Sequence, residues 1–239
     1  LAQAGAAIAV ESARDWSTSD HQRYVLGSVG PGTKLPTLGH ATFAALRDAY
    51  ATPARAYHHF GHVRETLAHY REVAGGAGWS SPVDVWLALL YHDAVYVPGR
   101  KDNEVRSAEL AQAHLRRWPS ADADARRVAE LIVLTARHGA LRAGDFPSTP
   151  EGEDTRRFLD CDMAILGAEP EAFAAYDRAI AEEYRAVPRW LYRRKRRAFF
   201  RMLLDSDRIF LSDVFRDRLE AQARRNLETA LAGGGKIAG

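Results

Sequence analysis

The pattern of apolar and polar positions changes near residue 50. Before it, the one run of strand character is 24–29, which leads into Gly30-Pro31-Gly32-Thr33-Lys34 with Pro36 and Gly39 following, so this stretch reads as strand and loop. After Pro53 the pattern is helical throughout. A helix over 58–73 places Val63, Leu67 and Tyr70 on one face, and Ser81-Pro82 starts another that runs to Tyr96, with Gly99 ending it. The same spacing predicts helices over 104–118, 121–137, 151–166, 170–185, 189–204 and 212–231, separated by loops that hold Pro119, Gly139, Pro147, Pro150, Gly167 and Pro188. No alternating strand pattern and no internal repeat falls among them, so eight antiparallel or crossing helices build an all-α domain. Gly233-Gly234-Gly235 reads as a flexible tail.

Composition narrows the class without naming a function. With 46% apolar and 27% charged residues in 239, the chain can bury a sizeable core. A formal charge of +2 sets up no global field that argues for nucleic acid or membrane, so any such partner must be argued locally. The single cysteine, Cys161, cannot close an internal disulfide and is simplest as a buried small apolar residue. There is no apolar run of membrane-spanning length and no signal pattern, which favours a cytoplasmic protein. The chain opens on Leu1 rather than Met, so its natural start is expected upstream.

The chemistry lies in the histidines and aspartates. His58 and His62 in Tyr57-His58-His59-Phe60-Gly61-His62 are four apart and share a helical face, and His92-Asp93 closes a helix whose preceding residues are apolar. Asp160 and Asp162 follow Phe158-Leu159 and precede Met163-Ala164-Ile165-Leu166-Gly167, where an unpaired charge is costly. Each fits a hydrogen-bonded core group or a helix end when taken alone. Together they point to a shared metal, because neutral imidazoles with carboxylates suit Mn, Fe, Co, Ni or Zn and leave positions for water and phosphate.

Tyr57-His58-x-x-x-His62, Tyr91-His92-Asp93-Ala94-x-Tyr96, Asp102-Asn103-Glu104-x-x-Ser107-Ala108 and Leu159-Asp160-Cys161-Asp162-Met163 resemble a bacterial family of metal-dependent phosphohydrolases of the HD superfamily. The resemblance continues through Glu183-Tyr184-x-x-Val187-Pro188, Tyr192 and Glu220-Ala221-x-Ala223-Arg224-x-Asn226-Leu227, covering about residues 50–232. It implies an HD-type helical bundle with His62, His92, Asp93 and Asp162 as ligands of a divalent metal, Mn, Fe, Co, Ni, Zn or Mg. Asp162 is preferred to Asp160, which would support it, because the superfamily's aspartate stands directly before an apolar or basic residue. The opening is also similar to that of cyclic-nucleotide phosphodiesterases, which implies a proton-donor role for His58. The implied function is hydrolysis of a phosphate ester, nucleotide-like, by a metal-bound water. The alternative is a non-catalytic metal- and nucleotide-binding regulatory domain.

Other residues have two readings each. Glu104 either orients the nucleophilic water or is a first-turn acid that complements its helix dipole. His138 either reaches phosphate or is a histidine at ease at a helix C-terminus. Arg193, Arg194, Lys195, Arg196 and Arg197, interleaved with aromatics, form either a solvated face or a site for nucleic acid or a phosphate-bearing substrate, with Arg196 the choice for a phosphate contact. The partner expected is a small phosphorylated substrate rather than nucleic acid or membrane.

Gly27-x-x-x-x-Gly32-Thr33-Lys34 has the wrong residue order for a phosphate-binding P-loop. The run from Arg23 through Gly30-Pro31-Gly32-Thr33-Lys34 to His40 instead resembles the homocysteine-binding barrel of cobalamin-dependent methionine synthase, over about residues 3–50. A complete barrel needs ~250 residues, so the piece cannot work as that enzyme. The expected division is a non-functional fragment over 1–49, the metal-dependent domain over 50–232, and a tail over 233–239.

Overall fold

Pro82–Tyr91 (PVDVWLALLY) carries a single charge, which leaves a helix there no polar face to turn to water. It becomes the central helix, buried along its whole length from Val83 to Tyr91. The computed structural model describes Leu38 and residues 40–233. Among these are nine α-helices and no strand. They are α1 (His40–Ala51), α2 (Phe60–Gly75), α3 (Pro82–Tyr91), α4 (Asn103–Arg117), α5 (Ala125–Leu134), α6 (Pro150–Met163), α7 (Pro170–Glu183), α8 (Arg189–Leu204) and α9 (Asp213–Gly233). Helices α2, α4, α5 and α6 surround α3, while α9 packs on α8 and on the 3₁₀ turn Ala164–Gly167 that continues α6. The expected all-α class is therefore the one adopted. No helix among the described residues is long and apolar enough to cross a membrane. The expected strand over 24–29, the Gly-Pro loop and residues 234–239 lie outside the described residues, whereas Gly233 closes α9.

Two expectations change. Helix α1 is not among the eight predicted, and an expected boundary at residue 50 runs through it. Phe43, Leu46 and Tyr50 have i, i+3, i+7 spacing and are buried; Phe43 and Tyr50 meet the Phe60 ring edge-on, and the Tyr50 hydroxyl donates to Leu90 O at 3.0 Å. The second change is at α3, which ends at Tyr91 rather than Tyr96. The carbonyls beyond it are satisfied from elsewhere: Arg55 donates to Asp93 O (2.6 Å) and Ala94 O (3.1 Å), and the Ser107 hydroxyl to Val95 O (3.2 Å). A chain whose carbonyls have such partners can leave the helix without leaving them bare, and His92 and Asp93 then turn their side chains to one centre.

Candidate metal centre

The four predicted ligands arrive from three helix ends. His62 stands in the first turn of α2, His92 and Asp93 directly after α3, and Asp162 in the last turn of α6. One ligand atom from each lies within 4.8 Å of all the others. His62 Nε2 is 3.1 Å from His92 Nε2, 2.8 Å from Asp162 Oδ1 and 3.7 Å from Asp93 Oδ2. His92 Nε2 is 3.1 Å from Asp93 Oδ2 and 3.4 Å from Asp162 Oδ1. Metal bonds of about 2.0–2.2 Å place neighbouring donor atoms about 3.0–3.4 Å apart, so these spacings are close to the edges of a coordination shell.

The hydrogen bonding supports the same reading. His92 Nδ1 donates to Leu89 O at 2.8 Å, which leaves Nε2 of the neutral ring as a bare lone pair directed at the other three groups. Two imidazole nitrogens and two carboxylate oxygens that converge in this way need a positive charge between them, from protons or from a cation. Burial disfavours charge on His92, yet Asp93 and Asp162 beside it raise its pKa well above the usual imidazole value. Burial also opposes ionisation of the two aspartates, but the surrounding imidazoles, His92 foremost, outweigh it and hold both below the ordinary carboxylate range. The imidazole side chains are 3% and 1% exposed and the carboxylates 13% and 14%, so the aspartates form the open side. The residues present could therefore hold a divalent metal; two imidazoles suit a transition ion better than Mg.

Around this centre the structure adds groups that sequence reasoning missed. His58 is not one of the four. Its Nδ1 donates to Glu183 Oε2 at 2.6 Å, and Glu183 Oε1 accepts the backbone N–H groups of Tyr57 (2.8 Å) and His58 (2.9 Å). Although burial opposes it, the His58 bond lowers the Glu183 pKa. The His58 ring stacks on Tyr96 with centroids 3.9 Å apart, and lies 6.1 Å from the His62 ring. Glu183 is thus the carboxylate that orients it. Arg55 ties the same region together, donating to His58 O (2.9 Å), Asp93 O (2.6 Å) and Ala49 O (3.0 Å). No local pattern marks Arg55, but Glu183 and Tyr96 both stand within the motif-like stretches of the sequence.

His138 does enter the site, donating from Nε2 to Asp162 Oδ2 at 2.7 Å. Gly139 follows with φ +79°, and a side chain there would strike Met202, so glycine lets the His138 turn lie against α8. Asp160 faces the other way. It accepts from Leu211 N (2.7 Å), Ser212 N (2.7 Å) and the Ser212 hydroxyl (2.6 Å), which fixes the start of α9. His59 caps α2 by accepting from Gly61 N. Glu104 sits half-buried in the first turn of α4, outside the ligand group and outside the cleft described next.

A cleft of about 480 Å³ opens over the centre, reaching Asp162, His58 and His138. Arg100, Lys101, Lys195 and Arg196 line it, and Asp162 is the one acidic residue among the described residues of its lining. Arg196 bonds Asp177 at 2.9 Å and lies over the Tyr176 and Phe200 rings. Three polar groups of the lining residues, Tyr57 OH, Tyr192 OH and Arg196 Nη2, are buried and have no hydrogen-bond partner.

Comparison with known proteins finds one short likeness. A stretch of 54 residues, 23% of the chain, is 57% identical to methionine synthase of Mycobacterium leprae, and a match of the same extent and identity is found with that of Mycobacterium tuberculosis. The chain spans 4% of the length of each enzyme. This bears out the expected resemblance to a methionine synthase fragment. No family model and no solved structure matches the chain.

Proposed function

We propose that this chain is a metal-dependent hydrolase of phosphate esters, acting on small nucleotide-like substrates, as its resemblance to HD-superfamily phosphohydrolases implies. The observation that carries the reading is the joining of two features. A cluster of two imidazoles and two carboxylates suited to a divalent cation opens through Asp162 into a cleft whose lining includes four cations and three buried polar groups without partners. An anionic ester in that cleft would satisfy donors whose isolation costs about 1–3 kcal/mol each. Held by His62, His92, Asp93 and Asp162, a divalent cation supplies Lewis acidity toward a phosphoryl oxygen and lowers the pKa of water.

The chain's own residues divide the remaining work. Lys195 and Arg196 bind and orient the phosphate charge, and His138 holds Asp162 by its outer oxygen. His58, with Nδ1 committed to Glu183, has Nε2 as the nitrogen that passes a proton to the leaving oxygen. The purified chain, assayed with Mn, Co and Ni against a nucleotide panel, should release phosphate or nucleoside monophosphate. His58→Ala should keep its metal yet lose about 10²–10⁴ in rate, least on activated aryl phosphates. A His58→Ala protein that emerges without metal would make His58 a ligand, and a wild-type chain inert on the whole panel with metal bound would leave the non-catalytic alternative.

A further inference from the structure

Six arginines, Arg178, Arg185, Arg189, Arg193, Arg196 and Arg197, line a second cleft of about 770 Å³ between α7, α8 and the end of α9, against two carboxylates, Asp177 and Glu182. Helix physics does not favour this placement. Helix α8 reads RWLYRRKRRAFFRMLL, with seven cations and no acid. Arg189, Arg193 and Arg197 repel one another at i, i+4 spacing, and cations in the first turns oppose the helix dipole. Arg196 and Arg185 have carboxylate partners, and Arg197 donates to Leu231 O. Arg178, Arg189 and Arg193 have none among the described residues. In a chain whose formal charge is only +2, this concentration is local and fits an anion supplied from outside.

Two further features identify the anion. Tyr184, Val187, Tyr192 and Arg196 line both this cleft and the cleft over the metal centre, so the two share a wall. A ligand with successive phosphates can lie across it. Trp190, next to Arg189 and one turn before Arg193 and Arg194, is 67% exposed, whereas the other exposed large apolar residues among the described ones are valines at 37–46%. An aromatic ring left in water among unpaired arginines is what base stacking uses in single-strand binding, and a free polyphosphate would have no use for it.

We propose that the two clefts form one track for a single-stranded nucleic acid, the arginine cleft holding backbone phosphates, Trp190 stacking a base, and the strand's end reaching the metal centre. Only that last element rests on the phosphohydrolase reading. The test is fluorescence anisotropy of a labelled single-stranded 12-mer with the full chain, titrated over salt. Affinity should fall with log salt at a slope of about −2, which is about −0.7 for each of three arginines. Arg189→Glu with Arg193→Glu should flatten the slope by about 1.4 and weaken binding at least about tenfold. Trp190→Ala should weaken it about 5- to 100-fold. If the charge-reversed variant fails to fold, Trp190→Ala still decides. Binding unchanged in Trp190→Ala, or displaced by tripolyphosphate as well as by unlabelled strand, would overturn the track in favour of a small-anion site. Hydrolysis of p-nitrophenyl phosphate by the same preparation separates the two readings. Hydrolysis without strand binding rejects the track alone, and Trp190-dependent binding without hydrolysis keeps the track and rejects the phosphohydrolase reading.

Discussion

Asp160 and Asp162 stand two residues apart on α6 and meet opposite surroundings. Asp160 is closed in by backbone N–H groups and a hydroxyl at the start of α9, and burial pushes its pKa up to about 7 against those bonds. Asp162 meets three imidazoles and is held far below the carboxylate range. The contrast extends across the molecule. Asp154 accepts Ser80 N (3.1 Å) and Ser81 N (2.7 Å) ahead of α3, Asp84 accepts Asp124 N (2.8 Å) at the start of α5, and burial raises the pKa of both. Asp93, like Asp162, is lowered by His92. Buried carboxylates that accept backbone N–H groups are joints between segments, complete without any ion. Those that face imidazole nitrogens, Asp93 and Asp162, belong instead to the group that could hold a metal ion. Glu183 combines the two, taking two backbone N–H groups on one oxygen and His58 on the other.

The sharpest way to break this distinction is to remove one aspartate at a time. Asp162→Ala should empty the metal site and abolish turnover, and chelator should no longer lower its melting temperature as it is expected to lower that of the wild type, where a cation at 100 times its Kd would add about 2.7 kcal/mol. Asp160→Ala should retain metal in every folded molecule but lose about 3–5 kcal/mol, about 10 °C in melting temperature, because buried N–H groups at the start of α9 lose their acceptor. Metal analysis beside thermal unfolding reads both, and an Asp160→Ala protein that is folded but metal-free would move Asp160 into the ligand set. A smaller effect is expected at the joint before α3. Asp154→Asn sets an amide N–H₂ against a backbone N–H and should cost about 1–3 kcal/mol in urea unfolding with metal content unchanged. The smallest belongs to an exposed pair.

Glu72 bonds His69 at 3.1 Å and Arg218 across to α9, and the His69 bond leads in lowering its pKa to about 2. A folded-state pKa below the unfolded one adds stability above about pH 4.5, which is lost as pH falls toward 2. The Glu72 side chain is 53% exposed, so Glu72→Gln should cost less than about 1 kcal/mol at pH 7, and the gap should narrow by pH 3.5 in urea melts. A gap that stays constant over that range would mean the carboxylate's charge contributes nothing.

How much of this was legible depends on where each partner lies in the chain. Eight of the nine helices follow from apolar spacing after residue 53, because that spacing records which face each helix buries. Helix α1 has the same spacing in Phe43, Leu46 and Tyr50, but lies in the stretch that resembles methionine synthase, and only its packing on Phe60 and Leu90 shows it to be part of the core. The candidate ligands were legible because a His or Asp among apolar neighbours is conspicuous by its cost. What each one faces was not, since Asp160 and Asp162 share the same local sequence and differ only in which distant segment each meets.

By itself, then, the sequence determined the helical class, most helix positions and the residue types that converge on one centre, all of which follow from local periodicity and from the cost of burying polar groups. Tertiary structure alone decided that Glu183, 125 residues away, orients His58, and that Arg55 joins the carbonyls of Ala49, His58 and Asp93. It also decided that His138 reaches Asp162 and that two clefts share Tyr192 and Arg196. Such pairings are made between segments far apart in the chain, where no spacing rule reaches, and they exist only once the helices have packed and brought donors and acceptors within hydrogen-bond distance.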